Sequence, residues 1–453
     1  MDTALREQML ASATDAVNAL CGFAQDQPMA DFDAREERVL EVGRRLQATW
    51  LGQLASAAGP RSPACPQCGV HSLNAVRRRR KPRTMNSRCG TVHIPRVRLS
   101  CRGCGHSWLP LQAALGVGAH QRTSGGLQHW EALVGGLAIS AGAARLLETL
   151  AGVDVGTETL RCHAEAAGTE LEGEQRAAMA QVQATQEPPT GYAPVAETLV
   201  VETDGVMARY RDRHLDGTLI KGEWHEIKLG LVGDWRDGQL VDQTYVAARE
   251  TATSFAPRLG TEAARRGALD IVDWRGQGTD GGGEQAVLRQ VVILGDGAKW
   301  IWEHAAATFG NERIEILDWY HCCTHLWTIG GALYGVGTPE TAAWVEHAKD
   351  LLWERGPADL LALLATLQAS TEEGGKVLAT ERGYFRTNAG RMHYQSHRDQ
   401  GLPIGSGAVE SAAKHLVQQR MKRAGMRWSD LGARAILHLR CALLNAAVLD
   451  LAA

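Results

Sequence analysis

Residues 291–300 read VVILGDGAKW, in which four apolar residues run directly into Gly295-Asp296-Gly297. An apolar run that is rich in β-branched residues and closed by glycine predicts a buried strand that ends abruptly. Asp296 is then fixed at the end of that strand. Taken alone, the stretch favours an aspartate turn that caps the following helix over a functional site. The rest of the chain reverses that preference.

Other strands and helices are predicted around this one. Strands are expected at 199–212, 224–235 and 238–248, a helix at 254–266, the strand that ends at Asp296, a helix at 298–308 and a last strand at 313–321. Three strands, helix, strand, helix, strand is the ribonuclease-H-like order. In that order the first and fourth strands are neighbours, so Asp204 and Asp296 are predicted to meet at one end of the sheet.

A third acid is predicted from GLPIGSGAVESAAKHLVQQRMKRAGMRWS, residues 401–429. Ser406 is the expected N-cap, which places Glu410 in the first helical turn, where the helix dipole favours its ionised form. The alternative is a surface acid that only complements the dipole. Basic residues crowd around it, and those predicted to contact DNA are Lys414, Arg420, Lys422 and Arg423.

Three converging carboxylates repel one another unless cations occupy the site. Hard carboxylate oxygens suit Mg²⁺ or Mn²⁺, and a pair of such ions promotes phosphodiester cleavage. Asp204, Asp296 and Glu410 are therefore the predicted catalytic residues and Mg²⁺ ligands.

Two cysteine pairs predict a second metal site. CPQCG (65–69) and CRGCG (101–105) each end in glycine, which allows the tight turn that aims both sulfurs at one point. Four thiolates around Zn²⁺ form a closed structural site, and TVHIPRVRLS between the pairs alternates like a hairpin. We predict a zinc ribbon with Cys65, Cys68, Cys101 and Cys104 as ligands; the alternative is chance pairs or disulfides.

Basic residues are concentrated in the same module. Residues 61–110 hold eleven Lys or Arg and no Asp or Glu, although the net charge of the chain is −3. RRRRKPR (77–83) is interpreted as a loop that grips phosphates; the alternative is a solvated charge run. The predicted DNA contacts here are Arg77, Arg78, Arg79, Arg80 and Lys81.

Residues 138–168 predict two short helices. One covers 143–150 and ends at Gly152, and the second runs from about 156 to 167. This pattern matches a helix-turn-helix whose second helix presents Arg161 to DNA. An ordinary helical hairpin is the alternative.

The segment DWYHCCTHLW is ambiguous. His321 and His325 have the i, i+4 spacing of helical metal ligands, but a packed helix start explains the pattern better. Asp318 and His321 remain candidates for supporting or DNA contacts.

A family resemblance adds to these predictions. The segments TDG, GDGAKWIW, DWYHCCTHLW, GSGAVESAAKHLVQQRMKRAGMRWS and SRCGTVHIPRVRLSCRGCG resemble those of bacterial insertion-sequence DDE transposases of the ISKra type. The resemblance covers most of residues 60–445. It implies a ribonuclease-H-like core, catalytic roles for Asp204, Asp296 and Glu410, and an insertion domain before Glu410.

The resulting expectation is a multidomain α+β protein. Its regions are a helical N-terminus (1–58), the zinc ribbon (59–112), the helix-turn-helix-like segment (113–175), a linker (176–197), the first core part (198–325), an all-helical insertion (326–400) and C-terminal helices that complete the core (401–453). The loop 276–285 and the N-terminal apolar stripe, with Val39, Leu40 and Leu54 among its members, carry no predicted site.

The expected function is a transposase that binds terminal inverted repeats and target DNA, cleaves DNA and joins 3′-ends, acting as a homo-oligomer. A non-catalytic DNA-binding regulator and a structure-specific nuclease are the alternatives. Charges in MDTALREQML, the shortness of the apolar run 132–144 and the sparse cysteines favour a cytoplasmic, nucleoid-associated protein without a membrane segment.

Overall fold

A computed structural model of the chain describes residues 3–58, 64–69, 76–185, 197–211, 218, 223–267, 290–310 and 313–445. The fold is mixed α+β and divides into two compact units, one up to Ala164 and one from Glu165 onward. The predicted loop 276–285 and the Pro-containing part of the predicted linker lie outside the described residues.

The first unit combines helices with a small sheet. Its described elements are α1 (Thr3–Asp26), α2 (Phe32–Ala57), β1 (Val76–Ser87), β2 (Gly90–Ser100), β3 (Ser107–Trp108), α3 (Pro110–Ala114), α4 (Gly125–Leu137), α5 (Ser140–Leu146), a π-helical turn (Leu147–Ala151) and the start of α6 (Thr157–Thr185).

The predicted helical N-terminus is confirmed and consists of α1 and α2. The apolar stripe of α2 is only partly packed. Val39, Leu40 and Leu54 are 55%, 44% and 49% exposed, and the buried residues of α2 are Val42 and Ala55. Helical periodicity predicted the position of α2 correctly. It did not show which apolar residues of α2 are buried.

The hairpin between the cysteine pairs is confirmed, with β1 antiparallel to β2 and Ser87 opposite Gly90. The prediction of a phosphate-gripping loop at 77–83 is wrong in its backbone conformation. Arg77 to Arg80 lie within β1 and pair with β2. The pairing register shifts between Arg80 and Arg83, which accommodates a proline that cannot donate to the ladder.

The helical break at Gly152 is also confirmed. Gly152 has a φ of 64°, the left-handed conformation that ends many helices. The second helix is longer than predicted: α6 continues without a break to Thr185, through the start of the region expected to be a linker.

The second unit holds the larger sheet. Its described elements are β4 (Thr198–Tyr210), β5 (Glu223–Arg236), β6 (Gln239–Ala248), α7 (Ala252–Arg265), β7 (Gln290–Gly295), α8 (Lys299–Phe309), β8 (Ile314–Leu317), α9 (Trp319–Tyr334), α10 (Pro339–Arg355), α11 (Pro357–Thr366), α12 (Glu372–Asn388), α13 (Tyr394–Asp399), α14 (Gly407–Ala412), a π-helical stretch (Ala413–Gln418), α15 (Gln419–Met421) and α16 (Asp430–Leu444).

The strand order in this sheet is β6-β5-β4-β7-β8. β4, β5 and β6 form an antiparallel meander, while β4, β7 and β8 are parallel. The predicted adjacency of the first and fourth strands is therefore confirmed. The last strand is shorter than predicted, because Asp318 accepts a hydrogen bond from the His321 amide and begins α9.

Apolar residues cover both faces of the sheet. Leu199, Val201 and Ile293 belong to a core that includes α7 to α12. On the opposite face, Val206 and Ala208 pack against α14, its π-helical extension and α16. Strand residues alternate between the two faces, so Val206, Ala208 and Tyr210 of β4 all face the C-terminal helices.

Candidate active site and metal centre

Three aspartates lie at equivalent levels of the three parallel strands: Asp204 within β4, Asp296 directly after β7 and Asp318 directly after β8. Glu202 pairs with Leu294 across β4 and β7, and Gly295 pairs with Leu317 across β7 and β8. Continuing this register places Asp204, Asp296 and Asp318 in one row, at the carboxyl ends of β7 and β8. Asp204 and Asp296 were predicted to meet there, and the register agrees.

Local hydrogen bonds hold the first two of these carboxylates. Asp204 Oδ1 accepts from the Gly205 amide at 2.6 Å, and Asp296 Oδ1 accepts from the Ala298 amide at 2.9 Å. The second contact is the aspartate turn that VVILGDGAKW suggested on its own. Turn formation and a site role are thus compatible at Asp296, since a carboxylate has two oxygens.

Glu410 lies where the sequence placed it, in the first turn of α14, and its side chain is exposed. Val409, Ala413 and Leu416 pack against β4 and β5, as the stripe predicted. Ser406 occupies the N-cap position but does not cap the helix with its side chain. Its hydroxyl donates instead to Asp318 Oδ2 at 2.7 Å.

The three acids share one electrostatic environment. Burial raises the pKa of the Asp204 carboxyl above its usual range, and the negative charges of Asp296 and Glu410 raise it further. The amide of Gly205 and the nearby His321 oppose this effect. The charge of Glu410, which is distant in sequence, thus contributes to the raised pKa of the Asp204 carboxyl.

The donor set suits divalent cations spread over the row. Carboxylate oxygens are the ligands preferred by Mg²⁺ and Mn²⁺, and mutual repulsion is relieved by bound cations. Among the described residues, only the four cysteines place three or more ligand atoms all within 4.8 Å of one another. Asp204, Asp296 and Glu410 therefore do not form so compact a group of ligand atoms.

Two further acids belong to this site: Asp318, which was predicted as a candidate for a supporting contact, and Glu202, which was not predicted. Glu202 is 3% exposed and Asp318 is 1% exposed. Glu202 Oε2 accepts from the Val409 amide at 2.7 Å, and Asp318 Oδ2 accepts from the Ser406 amide as well as its hydroxyl. A signal existed for Glu202, because an acid inside the buried run LVVETD needs a partner.

The pKa of Glu202 depends on the charged groups around it. Burial raises the pKa of the Glu202 carboxyl to about 7, and the negative charges of Asp318 and Glu410 contribute, while the hydrogen bond from Val409 opposes the rise. Glu202 therefore belongs to the same acidic cluster as Glu410.

His321 and His325 lie on one face of α9, with ring centroids 5.0 Å apart. His325 Nδ1 is 2.6 Å from Glu381 Oε2, and its ring stacks on Tyr384 at 3.7 Å. The Tyr384 hydroxyl donates to the backbone oxygen of Asp296 at 2.9 Å. Tyr384 of α12 thus supports the loop that carries Asp296. No metal-binding group that contains histidine occurs among the described residues.

The basic residues around Glu410 divide into two groups. Lys414, Lys422 and Arg423 are exposed. Arg420 is only 5% exposed, and its Cζ lies 5.1 Å from the centroid of the Trp428 ring. Burial lowers the pKa of Arg420 to about 10, helped by the charges of Arg440 and Arg423. Arg420 is thus packed inside the unit and does not lie on the accessible basic surface.

Arg161 begins the second helix of the predicted helix-turn-helix. Its guanidinium binds Glu158 one turn earlier, with Nε 2.9 Å from Oε2. The pair is solvent-exposed, so the ion pair contributes little stability and can exchange for another anion.

The four predicted zinc ligands converge. Cys65 Sγ lies 3.6 Å from Cys104 Sγ, and Cys68 Sγ lies 3.7 Å from Cys101 Sγ. These separations are too long for disulfide bonds. A tetrahedral zinc ion with Zn–S bonds of about 2.3 Å requires sulfurs about 3.8 Å apart, so the cluster fits zinc.

A tight backbone turn orients the two thiols of each cysteine pair. The Gly69 amide donates to the Cys65 oxygen at 2.9 Å, and the Gly105 amide donates to the Cys101 oxygen at 3.0 Å. Both glycines have positive φ, 71° and 74°. Amides of Cys104 and Gly103 stabilise the Cys101 thiolate and lower its pKa to about 7. The cluster can hold a structural metal ion such as zinc.

Comparison with known proteins does not add a family. The sequence matches no protein-family model, and it matches no curated protein sequence. No helix in the described part of the chain is both long enough and apolar enough to span a bilayer.

Proposed function

We propose that this chain is a DDE-type DNA transposase with a ribonuclease-H-like catalytic unit. It would bind the terminal inverted repeats of its element, cleave DNA and join 3′-ends to target DNA. The observation that carries the proposal is that Asp204 of β4 lies level with Asp296, which follows the neighbouring parallel strand β7, and that the charge of Glu410 acts on Asp204.

The topology supports this proposal. The order β6-β5-β4-β7-β8, with an antiparallel meander followed by two parallel strands, is the ribonuclease-H-like order. The helices α10 to α13 lie in the chain between β8 and the helix that carries Glu410. That is the position at which an insertion domain would interrupt the core.

Asp204, Asp296 and Glu410 would hold Mg²⁺ or Mn²⁺. Two such cations supply activation of the attacking oxygen and neutralisation of charge on the departing 3′-oxygen. The chain itself fixes the carboxylates: β4 and β7 are rigid, buried strands, and the helical bundle supports Asp296 through Tyr384. Phosphoryl transfer requires that the protein hold the metal ligands in fixed positions.

DNA binding is proposed for two sets of basic residues. Lys414, Lys422 and Arg423 are exposed near Glu410 and would contact phosphates there. Arg77 to Lys81 lie on the hairpin that the four cysteines precede and follow in the chain. Because an element has two ends, the active complex on DNA would be a homo-oligomer.

The test uses DNA that carries both flanks of the coding gene, with zinc-loaded protein and Mg²⁺ or Mn²⁺. Asp296→Asn should abolish strand cleavage and leave end binding intact, because it removes a cation ligand and not a DNA contact. Asp237→Asn is the matched control, since Asp237 is an exposed turn residue with a φ of 52°, a conformation that asparagine tolerates.

The outcomes separate the alternatives. Cleavage and joining by the wild type, lost in Asp296→Asn and kept in Asp237→Asn, support the transposase. Cleavage that persists in Asp296→Asn contradicts the assignment. Footprinting without nicking by the wild type would indicate a DNA-binding regulator, and cleavage without joining of a pre-cut end would indicate a nuclease.

A further inference from the structure

Two buried acids outside the three proposed ligands bind the segment that leads into α14. Asp318 Oδ2 accepts from the amide and from the hydroxyl of Ser406, at 2.5 and 2.7 Å. Glu202 Oε2 accepts from the amide of Val409 at 2.7 Å. Ser406 and Val409 both come shortly before Glu410 in the chain.

Backbone contacts reinforce the same segment. The Trp319 amide donates to the Ile404 oxygen at 2.9 Å. Gly405 packs so closely on the Tyr320 ring that a β-carbon there would lie 2.8 Å from Cε2. The segment 404–409 is therefore attached to the β8–α9 junction at Ile404, Gly405 and Ser406, and to β4 at Val409.

Burying the two carboxyl groups that make these attachments costs free energy. Burying a carboxylate disfavours its charged form, and hydrogen bonds offset only part of that cost. Glu202 is 3% exposed and Asp318 is 1% exposed, so both side chains are removed from water.

The geometry relates the two acids to Glu410. Glu202 projects from β4, and Asp318 follows β8, the two strands on either side of β7. Their bonds hold the N-terminal turn of α14 from both sides of the strand that delivers Asp296. A rigid connection of this kind is needed because Glu410 comes from a distant part of the chain.

We propose that Glu202 and Asp318 are positioning residues that clamp the N-terminal turn of α14 and so fix the Glu410 carboxylate opposite Asp204 and Asp296. The proposal rests on the proposed function for the role of Glu410, but the clamp itself is a structural claim. Neither acid touches DNA or reacting atoms in this scheme.

The test compares three substitutions in the zinc-loaded, full-length protein. Asp318→Asn keeps an oxygen that can accept from the His321 amide but loses an acceptor for Ser406. Glu202→Leu removes the acceptor for Val409, and Glu202→Gln restores one. Thr371→Ala is the control, because it removes the side-chain cap of α12, at 3.1 Å from the Gly374 amide, elsewhere in the same unit.

Two readouts are measured. The first is the Mn²⁺ concentration that gives half-maximal DNA cleavage, which should rise by about tenfold or more in Asp318→Asn and Glu202→Leu. Excess Mn²⁺ should restore much of their maximal rate, and should fail to do so for Glu410→Gln. The second is hydrogen exchange of peptides that cover 402–412, which should accelerate by a similar factor in the metal-free protein.

The expected pattern includes rescue by Glu202→Gln in both readouts and wild-type behaviour of Thr371→Ala. The clamp is overturned if Asp318→Asn and Glu202→Leu keep wild-type Mn²⁺ dependence and exchange at 402–412. If the wild type does not cleave DNA, the proposed function fails while hydrogen exchange still decides the clamp. Should either variant fail to fold, Ser406→Ala removes only the hydroxyl bond, and unchanged exchange there would count against the clamp.

Discussion

Asp204 and Asp296 stand two residues beyond Glu202 and Leu294, which pair across the parallel strands β4 and β7. Both carboxylates therefore emerge at the same level of the sheet from strands that are buried on both faces. The negative charge of Asp296 is one cause of the raised pKa of the Asp204 carboxyl.

Zinc binding should depend on the four cysteines alone. Purified wild-type protein should hold about one zinc ion per chain, as expected for a closed four-thiolate site. Cys101→Ser should lose the zinc and destabilise the β1–β2 hairpin, because metal binding contributes folding free energy. The measurement is metal content together with thermal unfolding.

Cys89→Ser is the matched control for zinc content. Cys89 lies in the same module but outside the cluster, so this variant should keep its zinc. Equal zinc content in Cys101→Ser and Cys89→Ser would contradict the assignment.

The exposed basic residues near Glu410 should act through phosphate contacts. Lys414→Ala, Lys422→Ala and Arg423→Ala should each weaken DNA binding uniformly across sequences. Each should also reduce the dependence of log K on log salt by about 0.9. Fluorescence anisotropy over a range of salt concentrations measures both effects.

Arg420 should behave differently, because its side chain is packed on Trp428. Arg420→Ala should lower the melting temperature by several degrees, through lost packing and buried polar atoms left without partners. Lys376→Ala, an exposed position on α12, is the control for the salt slopes. Unchanged slopes in all three exposed variants would contradict the proposed phosphate contacts.

Protonation of His438 should destabilise the second unit. Burial lowers the pKa of His438, and Arg258, whose Nη1 lies 3.3 Å from Nε2, lowers it further. The backbone oxygen of Arg434 and the carboxylates of Glu172 and Glu250 oppose this shift. Neutral His438 thus contributes stability above its unfolded pKa near 6.5, and the contribution is lost as pH falls through the lower folded pKa.

Urea denaturation at about pH 8 and pH 5.5 measures this contribution. The stability advantage of the wild type over His438→Gln should shrink at the lower pH. His347→Gln, at an exposed position, should show no such change relative to the wild type. An advantage that is constant or grows on acidification would rule out the proposed direction.

Close packing between α6 and α16 should make one glycine irreplaceable. A β-carbon at Gly168 would overlap the carbonyl oxygen of Ala435, which is backbone and cannot yield. Gly168→Ala should therefore cost roughly 2 kcal/mol or more in the free energy of unfolding. Gly173, on the same helix, has open space around its α-carbon.

Gly173→Ala is accordingly the control, and it should stabilise the protein by up to about 1 kcal/mol through helix propensity. Thermal or urea unfolding distinguishes the two substitutions. If both raised stability, α6 and α16 would not be packed as described.

The sequence predicted the elements whose signals are local. Strand periodicity, the Gly-Asp stop at Asp296 and the two C-x-x-C turns each depend on neighbouring residues. The adjacency of the strands that carry Asp204 and Asp296 followed from strand order, whereas their register is known from the structure. Glu410 needed a family resemblance, since nothing local distinguishes it from a surface acid at a helix start.

Other features depended on tertiary contacts and were missed or misjudged. Asp318 was expected inside a strand, but it caps α9 and binds Ser406 from a distant segment. Arg420 was grouped with exposed bases, although its spacing from Ala413 and Leu416 puts it on the buried stripe of the helix. The arginines 77–80 were expected in a loop, because sequence alone did not reveal that they pair with β2.

The most direct test of the acidic site is Mn²⁺ titration of the zinc-loaded protein, followed by electron paramagnetic resonance. We predict that the wild type and Asp237→Asn bind Mn²⁺ alike, and that Asp204→Asn, Asp296→Asn and Glu410→Gln each bind it about tenfold or more weakly, since each loses a hard oxygen ligand. Equal Mn²⁺ binding by all five proteins would contradict the assignment of Asp204, Asp296 and Glu410 as a shared cation site.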